Sequence, residues 1–95
     1  MHELWVGSMR VVFYGSDSCQ PCKQMWPLAK RVVEEHDLEL VYRDVGEDAG
    51  RLNIRGVPTI VFYDRDRPVG RLTGQYAEPM FRRFVREILG PLSSL

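Results

Sequence analysis

Residues 10–22 read RVVFYGSDSCQPC, a short apolar run followed by a polar loop and a Cys-x-x-Cys motif. The β-branched and aromatic residues at 10–14 predict a buried strand, and the periodic apolar positions after Cys19 predict a helix. Cys19 and Cys22 are the only two cysteines of the chain. A cysteine at a helix N-terminus lies beside unpaired N–H groups and the positive end of the helix dipole, which both favour the thiolate. This stretch therefore predicts a dithiol–disulfide couple at a strand–helix junction.

The composition is that of one small domain without an overall charge that would select a partner. The chain has 95 residues, with 13 basic and 13 acidic side chains. This balance gives no long-range attraction to nucleic acid or to an anionic membrane, so we expect neither as a partner, and we expect a monomer. The N-terminal segment lacks the form of a secretory signal. We therefore expect a cytoplasmic protein, in a reducing compartment where purely structural disulfides are rare.

The apolar patterns predict the element order β-α-β-(α)-β-β-α. Strands are expected at 10–14, 38–45, 59–63 and 69–73, helices at 19–36 and 78–89, and a weak helix or loop at 46–53. The first two strands are joined by a helix and should be parallel, whereas the last two are joined by a short turn and should be antiparallel. An α/β fold follows, with a four-stranded mixed sheet flanked by helices on both faces and the 59–63 strand at its centre.

Finer expectations follow from the rules for helix ends and helix faces. We expect Asp17, in the polar loop, to cap the first helix, and Gly90-Pro91 to end the last one. The inner face of the last helix should carry its apolar side chains, Met80, Phe81, Phe84, Val85, Ile88 and Leu89. The domain is assigned to residues 10–90, between an N-terminal extension at 1–9 and a tail at 91–95. Within the extension, Gly7-Ser8-Met9 has the form of a cloning junction.

A second motif, Arg55-Gly56-Val57-Pro58-Thr59, precedes the most apolar strand. Proline cannot donate to a sheet ladder, so it marks the entrance of that strand. With the Cys-x-x-Cys motif and the element order, this Val-Pro-Thr makes the chain resemble the thioredoxin family over about residues 11–89. Lys23, Pro27 and Gly74 also match that family's pattern. The resemblance implies a thioredoxin-like fold.

The resemblance also implies thiol–disulfide exchange with protein substrates. Cys19 would be the exposed nucleophile and Cys22 the resolving thiol, while Pro58 would follow a cis bond and face both sulfurs. The substrate would pair with the backbone of Val57, in a shallow groove lined by Ser18, Gln20, Pro21, Gly56, Val57 and Gly74. No cofactor is expected beyond the redox-active disulfide, and the electron donor would be a reductase or glutathione.

The chain departs from the family pattern around the motif. The family has a buried Asp on the strand before the cysteines, which assists proton transfer at the second cysteine, and a partner Lys on the next strand. These positions fall at Phe13 and near Tyr42 here. Ser18 replaces the family's Trp, and Gln20 replaces its Gly. The usual proton acceptor is therefore missing.

Several functions stay open at the level of the sequence. Among enzymes, the alternatives are a glutathione-coupled glutaredoxin-like protein and a disulfide isomerase or oxidase, because Gln-Pro between the cysteines does not reveal the direction of exchange. Outside enzymes, a thioredoxin-like docking module is the alternative, although such a module has no need of an intact cysteine pair. A zinc site would need four ligands, and only His2 and His36 accompany the cysteines, so no metal is expected.

Overall fold

The structure, a computed structural model, describes residues 9–46 and 49–93. In these ranges the elements are β1 (Met9–Gly15), α1 (Gln20–Glu34), β2 (Leu40–Asp44), β3 (Thr59–Asp64), β4 (Arg67–Thr73) and α2 (Glu78–Ser93). The four strands form one sheet in the order β2-β1-β3-β4. β1 is parallel to β2 and antiparallel to β3, and β3 is antiparallel to β4. The mixed sheet is confirmed, with the 59–63 run in a central strand.

The two central strands are apolar on both faces because both faces of the sheet are covered. One face of β1 and β3 packs into the main core through Val11, Phe13, Ile60 and Phe62. The other face packs into a smaller cluster through Val12, Tyr14 and Val61. Covered strands of this kind read as continuous apolar runs rather than as alternating ones, which is the pattern that the sequence shows.

Both helices lie on the same face of the sheet. The buried side chains of α1 and α2 belong to one core cluster with Val11 and Phe13. On the opposite face, Ile54 packs against Val12 and Val61. The segment leading to Ile54 forms turns, closed by hydrogen bonds from Asn53 N–H to Gly50 O at 3.1 Å and from Ile54 N–H to Ala49 O at 2.8 Å. Of the expected weak helix or loop at 46–53, residues 49–53 form turns, so turns cover the second face there while both α-helices lie on the first.

The expected inner face of α2 is confirmed except at Met80: Phe81, Val85 and Leu89 are buried and Phe84 and Ile88 pack against the same core, whereas Met80 is 45% exposed. The expectation that Gly90-Pro91 ends the helix is wrong. The helix continues through Gly90-Pro91 to Ser93. A proline removes one N–H donor from a helix, but its φ is helical, so the backbone can continue. β1 begins at Met9, and the assignment of the domain to residues 10–90 stays a prediction. Neither described helix is long and apolar enough to cross a membrane.

Arg82 connects the two helices on their solvent side. Its guanidinium donates to both carboxylate oxygens of Glu35, at 2.6 and 3.0 Å, and to Glu78 at 3.0 Å. Arg31 of α1 also pairs with Glu78. Hydrogen bonding from Arg82 lowers the pKa of both carboxyl groups. Because these groups reach solvent, the network orients the helices more than it stabilises them.

Substitution of two neighbouring residues, Phe81 and Met80, tests which face of α2 points into the core. Phe81→Ala should lower the free energy of unfolding by about 3–5 kcal/mol, because it leaves a cavity in the main core. Met80→Ala should change it by no more than about 0.5 kcal/mol, because Met80 is exposed. Urea denaturation of both variants measures the two changes. Equal losses would contradict the orientation described above.

Candidate active site

The first cysteine itself begins α1. Cys19 is the N-cap residue, with φ −94° and ψ 106°, and its Sγ accepts a hydrogen bond from Cys22 N–H at 3.2 Å. The preceding loop is closed by a bond from Cys19 N–H to Ser16 O at 3.2 Å. The prediction that Asp17 caps the helix is wrong, because the Cys19 sulfur takes the capping position and Asp17 is exposed. A sulfur at this position lies where the backbone donors and the helix dipole favour negative charge.

Cys19 and Cys22 are joined as a disulfide, with their Cα atoms 5.2 Å apart. The two residues differ in their access to solvent. Cys22 is only 2% exposed and belongs to the main core, whereas Cys19 is half-buried at its edge. Exchange with an outside thiol or disulfide depends on access to the sulfur, so it should begin at Cys19. This difference is compatible with Cys19 as the nucleophile and Cys22 as the resolving thiol.

The Val57–Pro58 peptide bond is cis, and the loop that contains it faces the disulfide. Cys19 Sγ lies 3.7 Å from the carbonyl oxygen of Val57. The loop is fixed on both sides: Thr59 Oγ1 donates to Gly56 O at 2.6 Å, and Gly74 N–H donates to Pro58 O at 2.9 Å. These bonds hold the Val57 backbone beside the accessible sulfur.

The predicted groove residues lie on the segments that meet at the disulfide. Ser18, Gln20 and Pro21 are exposed around Cys19, and Gly56 and Val57 are half-buried on the facing loop. Gly74 follows the last residue of β4 and has φ 106°, a conformation that favours glycine. Gln75 Nε2 donates to Gln24 Oε1 at 2.8 Å and joins this segment to α1. That these residues contact substrate stays a prediction.

Aromatic rings surround the inner side of the disulfide. Phe13 is fully buried and stacks on Tyr42, with ring centroids 5.7 Å apart. Trp26 meets both rings edge-on, at 5.3 Å from Phe13 and 5.6 Å from Tyr42. The register of β1 and β2 places Phe13 directly opposite Tyr42. The two positions at which the chain departs from the family's Asp and Lys are therefore one stacked aromatic pair.

A cleft opens beside the buried cysteine. It is lined by Ser16, Asp17, Cys22, Lys23, Trp26 and Tyr42. Gly15 lies between two of these groups, because a methyl group there would lie 3.0 Å from Tyr42 Oη and 3.2 Å from Cys22 Sγ. Burial raises the pKa of Tyr42, and the charges of Asp17 and Asp44 raise it further. Sequence reasoning gave no role to Gly15 or to the Tyr42 hydroxyl. The departure at Tyr42 was the available signal.

Within residues 9–46 and 49–93, no three His, Cys, Asp or Glu side chains are grouped so that they could hold a metal ion. His36 follows the end of α1, where its N–H donates to Val33 O at 3.0 Å. His2 lies outside the described residues.

Comparison with known proteins gives consistent matches. Residues 6–87 match the family model described as Thioredoxin. NADPH-dependent thioredoxin reductase 3 of Arabidopsis thaliana is 30% identical over 90% of this chain, which spans only 17% of that protein's length. Thioredoxin of Buchnera aphidicola is 22% identical over 79% of this chain and 73% of its own. The crystal structure of Fasciola hepatica thioredoxin is 26% identical and superposes with a TM-score of 0.71, over 85% of this chain and 81% of that one.

Removal of the Thr59 hydroxyl tests whether its hydrogen bond to Gly56 O supports the loop that contains Val57. Thr59→Val should lower the free energy of unfolding by about 1–2 kcal/mol, because it removes the buried donor to Gly56 O. Thr73→Val is the matched control. Thr73 is exposed and its Oγ1 lies 3.2 Å from Thr59 Oγ1. Loss of the Thr73 hydroxyl leaves the bond from Thr59 to Gly56 O in place. Urea denaturation should show the larger loss for Thr59→Val, and the reverse order would contradict this account.

Proposed function

Because the chain belongs to the thioredoxin family, we propose that it reduces disulfides in protein substrates. Thiol–disulfide exchange is the chemistry that the family and the bonded Cys19–Cys22 pair support. The observation that carries the proposal is the position of Cys19, an accessible N-cap sulfur beside the backbone of Val57. The reducing direction is supported by the relatives, which are named as thioredoxins or as a thioredoxin reductase.

The proposed reaction begins with the reduced pair. The Cys19 thiolate attacks one sulfur of the substrate disulfide, and the other substrate sulfur leaves as a thiolate that takes a proton from solvent. Cys22 then loses its proton and attacks Cys19 Sγ in the mixed disulfide. The Cys19–Cys22 bond forms, the bond from Cys19 to the substrate breaks, and the second substrate thiol is released. Two electrons pass from the cysteine pair to the substrate.

The Val57 loop supplies a place for the substrate backbone. The Val57 N–H meets no hydrogen-bond acceptor among residues 9–46 and 49–93, and its carbonyl lies beside Cys19. An extended substrate segment could pair with these groups as an added strand. Ser18, Gln20, Pro21, Gly56 and Gly74 would then contact the substrate side chains on either side of the attacked sulfur.

The electron donor and the setting belong to the same proposal. We infer an NADPH-dependent thioredoxin reductase as the donor, supported by the name of the Arabidopsis relative. Glutathione is the alternative donor. We also propose that the protein acts as a monomer in the cytoplasm, where a reducing environment would keep the pair available for turnover.

Substitution of each cysteine tests the assigned roles in the reduction of insulin disulfides. Cys19→Ser should reduce the rate to that without protein, because no accessible thiolate remains. Cys22→Ser should form a mixed disulfide with the substrate and then stop, because no thiol can resolve it. Met80→Ala, on the exposed side of α2, should react like the parent. Full activity of Cys19→Ser would overturn the assignment.

A comparison of donors tests the proposed reductase. The insulin assay is driven either by NADPH with thioredoxin reductase or by glutathione with glutathione reductase and NADPH. We expect faster turnover with thioredoxin reductase. Faster turnover with glutathione would identify a glutathione-coupled protein. If neither donor supports turnover although dithiothreitol reduces the Cys19–Cys22 disulfide, the proposed donor is wrong, and a dedicated donor or a docking role replaces it.

A further inference from the structure

We propose that the Tyr42 hydroxyl donates a hydrogen bond, through one water, to the Cys22 thiolate during resolution of the mixed disulfide. This inference rests on the proposed function and adds a catalytic residue to it. It assigns chemistry to a position at which the chain departs from the pattern of the family it belongs to.

The resolving step creates a need for such a group. Cys22 is 2% exposed, and Cys22 and Phe13 lie in the same apolar core. Apolar burial raises the pKa of a thiol because it disfavours the charged form. Cys22 must nevertheless reach the thiolate form to attack Cys19 Sγ. Phe13 has no polar atom that could assist.

The geometry places the Tyr42 hydroxyl next to that sulfur. A single point, the position of a methyl group on Gly15, lies 3.0 Å from Tyr42 Oη and 3.2 Å from Cys22 Sγ. The two atoms are therefore within reach of one bridging water. Tyr42 Oη makes no hydrogen bond within the described residues, so its proton is available to a bridging water. Contacts with Phe13 and Trp26 hold the ring in place.

The other polar groups of the cleft suit the role less well. Asp17, from the loop, carries a negative charge that would oppose a thiolate, and Asp44, on β2, has the same sign. Lys23, on α1, has the favourable sign but is exposed on a flexible side chain. Tyr42 is neutral and held between two rings, and its raised pKa keeps it protonated as a donor. At 38% exposure, it is also within reach of solvent.

The proton balance of the step is simple. The Cys22 thiol gives its proton to water in the cleft, and Tyr42 keeps its own proton while it stabilises the resulting thiolate. The thiolate forms the bond to Cys19 Sγ as the bond from Cys19 to the substrate breaks. The substrate sulfur leaves as a thiolate and is protonated by solvent. No further oxidant or reductant is needed.

The reaction with dithiobis(nitrobenzoate) measures the two cysteines separately, because each cysteine releases thionitrobenzoate in its own step. With the reduced protein, attack by Cys19 releases one coloured thionitrobenzoate, and attack by Cys22 on the resulting mixed disulfide releases the second. Tyr42→Phe keeps the aromatic ring and removes the hydroxyl. Stopped-flow measurements should show an unchanged first phase and a second phase about tenfold slower, because a hydrogen bond to a charged group is lost. The pH midpoint of the second phase should rise.

Two further variants keep the test specific. Tyr63→Phe removes a hydroxyl on the opposite face of the sheet and should leave both phases unchanged. Gly15→Ala keeps the hydroxyl but places a methyl group against both atoms, so it should also slow the second phase. An unchanged second phase in Tyr42→Phe, or equal slowing of both phases, would overturn the role of Tyr42. Failure of the parent protein to release the second thionitrobenzoate would instead overturn the proposed function.

Discussion

The hydrogen bond from Cys22 N–H to Cys19 Sγ is the contact on which the site depends. It begins α1, because the sulfur satisfies a backbone donor that the first helical turn leaves unpaired. The same bond places the sulfur where donors and the helix dipole stabilise negative charge. One contact thus makes the Cys19 sulfur the start of the helix and places it where a thiolate is favoured. Capping by Asp17 would have separated these two roles.

The sheet brings the second half of the site to this helix start. β1 and β3 are antiparallel, and their register pairs Tyr14, near the end of β1, with Thr59, at the start of β3. The residues just before β3 therefore lie beside the residues just after β1. This is why a loop at 56–58 meets a cysteine at 19, although they are far apart in the sequence. The bonds from Thr59 and Gly74 then hold that loop in place.

Local patterns predicted the parts of the fold that local physics determines. The strands and helices follow from apolar periodicity, and the exposed and buried cysteines follow from their places in the first helical turn. The predictions that were wrong also came from local rules, applied at positions where a neighbouring group or the surrounding structure determines the outcome. The sulfur of Cys19, and not Asp17, caps α1, and α2 continues past Pro91. On the second face the sequence left a weak helix or a loop open, and turns there bring Ile54 and Leu52 against Val12 and Val61.

The approach of Tyr42 and Cys22 to one point beside Gly15 could not be predicted in this way. It depends on the register of β1 against β2, which sets Phe13 opposite Tyr42, and on the missing side chain of Gly15 between them. None of these is visible as a motif, because each residue alone is an ordinary strand residue. What the sequence did show was a departure at both positions. A pair of departures on adjacent strands is a signal of contact when the element order is known.

The joint replacement of the two charged positions is physically consistent. A single buried Asp or Lys facing an aromatic ring would be a charge without a partner, which costs far more than an apolar pair. Stacking Phe13 on Tyr42 avoids that cost and leaves one polar atom, the phenol oxygen, at the edge of the core. A phenol that stays protonated can stabilise a thiolate but is a poor acceptor for its proton. In the proposed step, proton removal from Cys22 would then fall to water in the cleft that Cys22 and Tyr42 line.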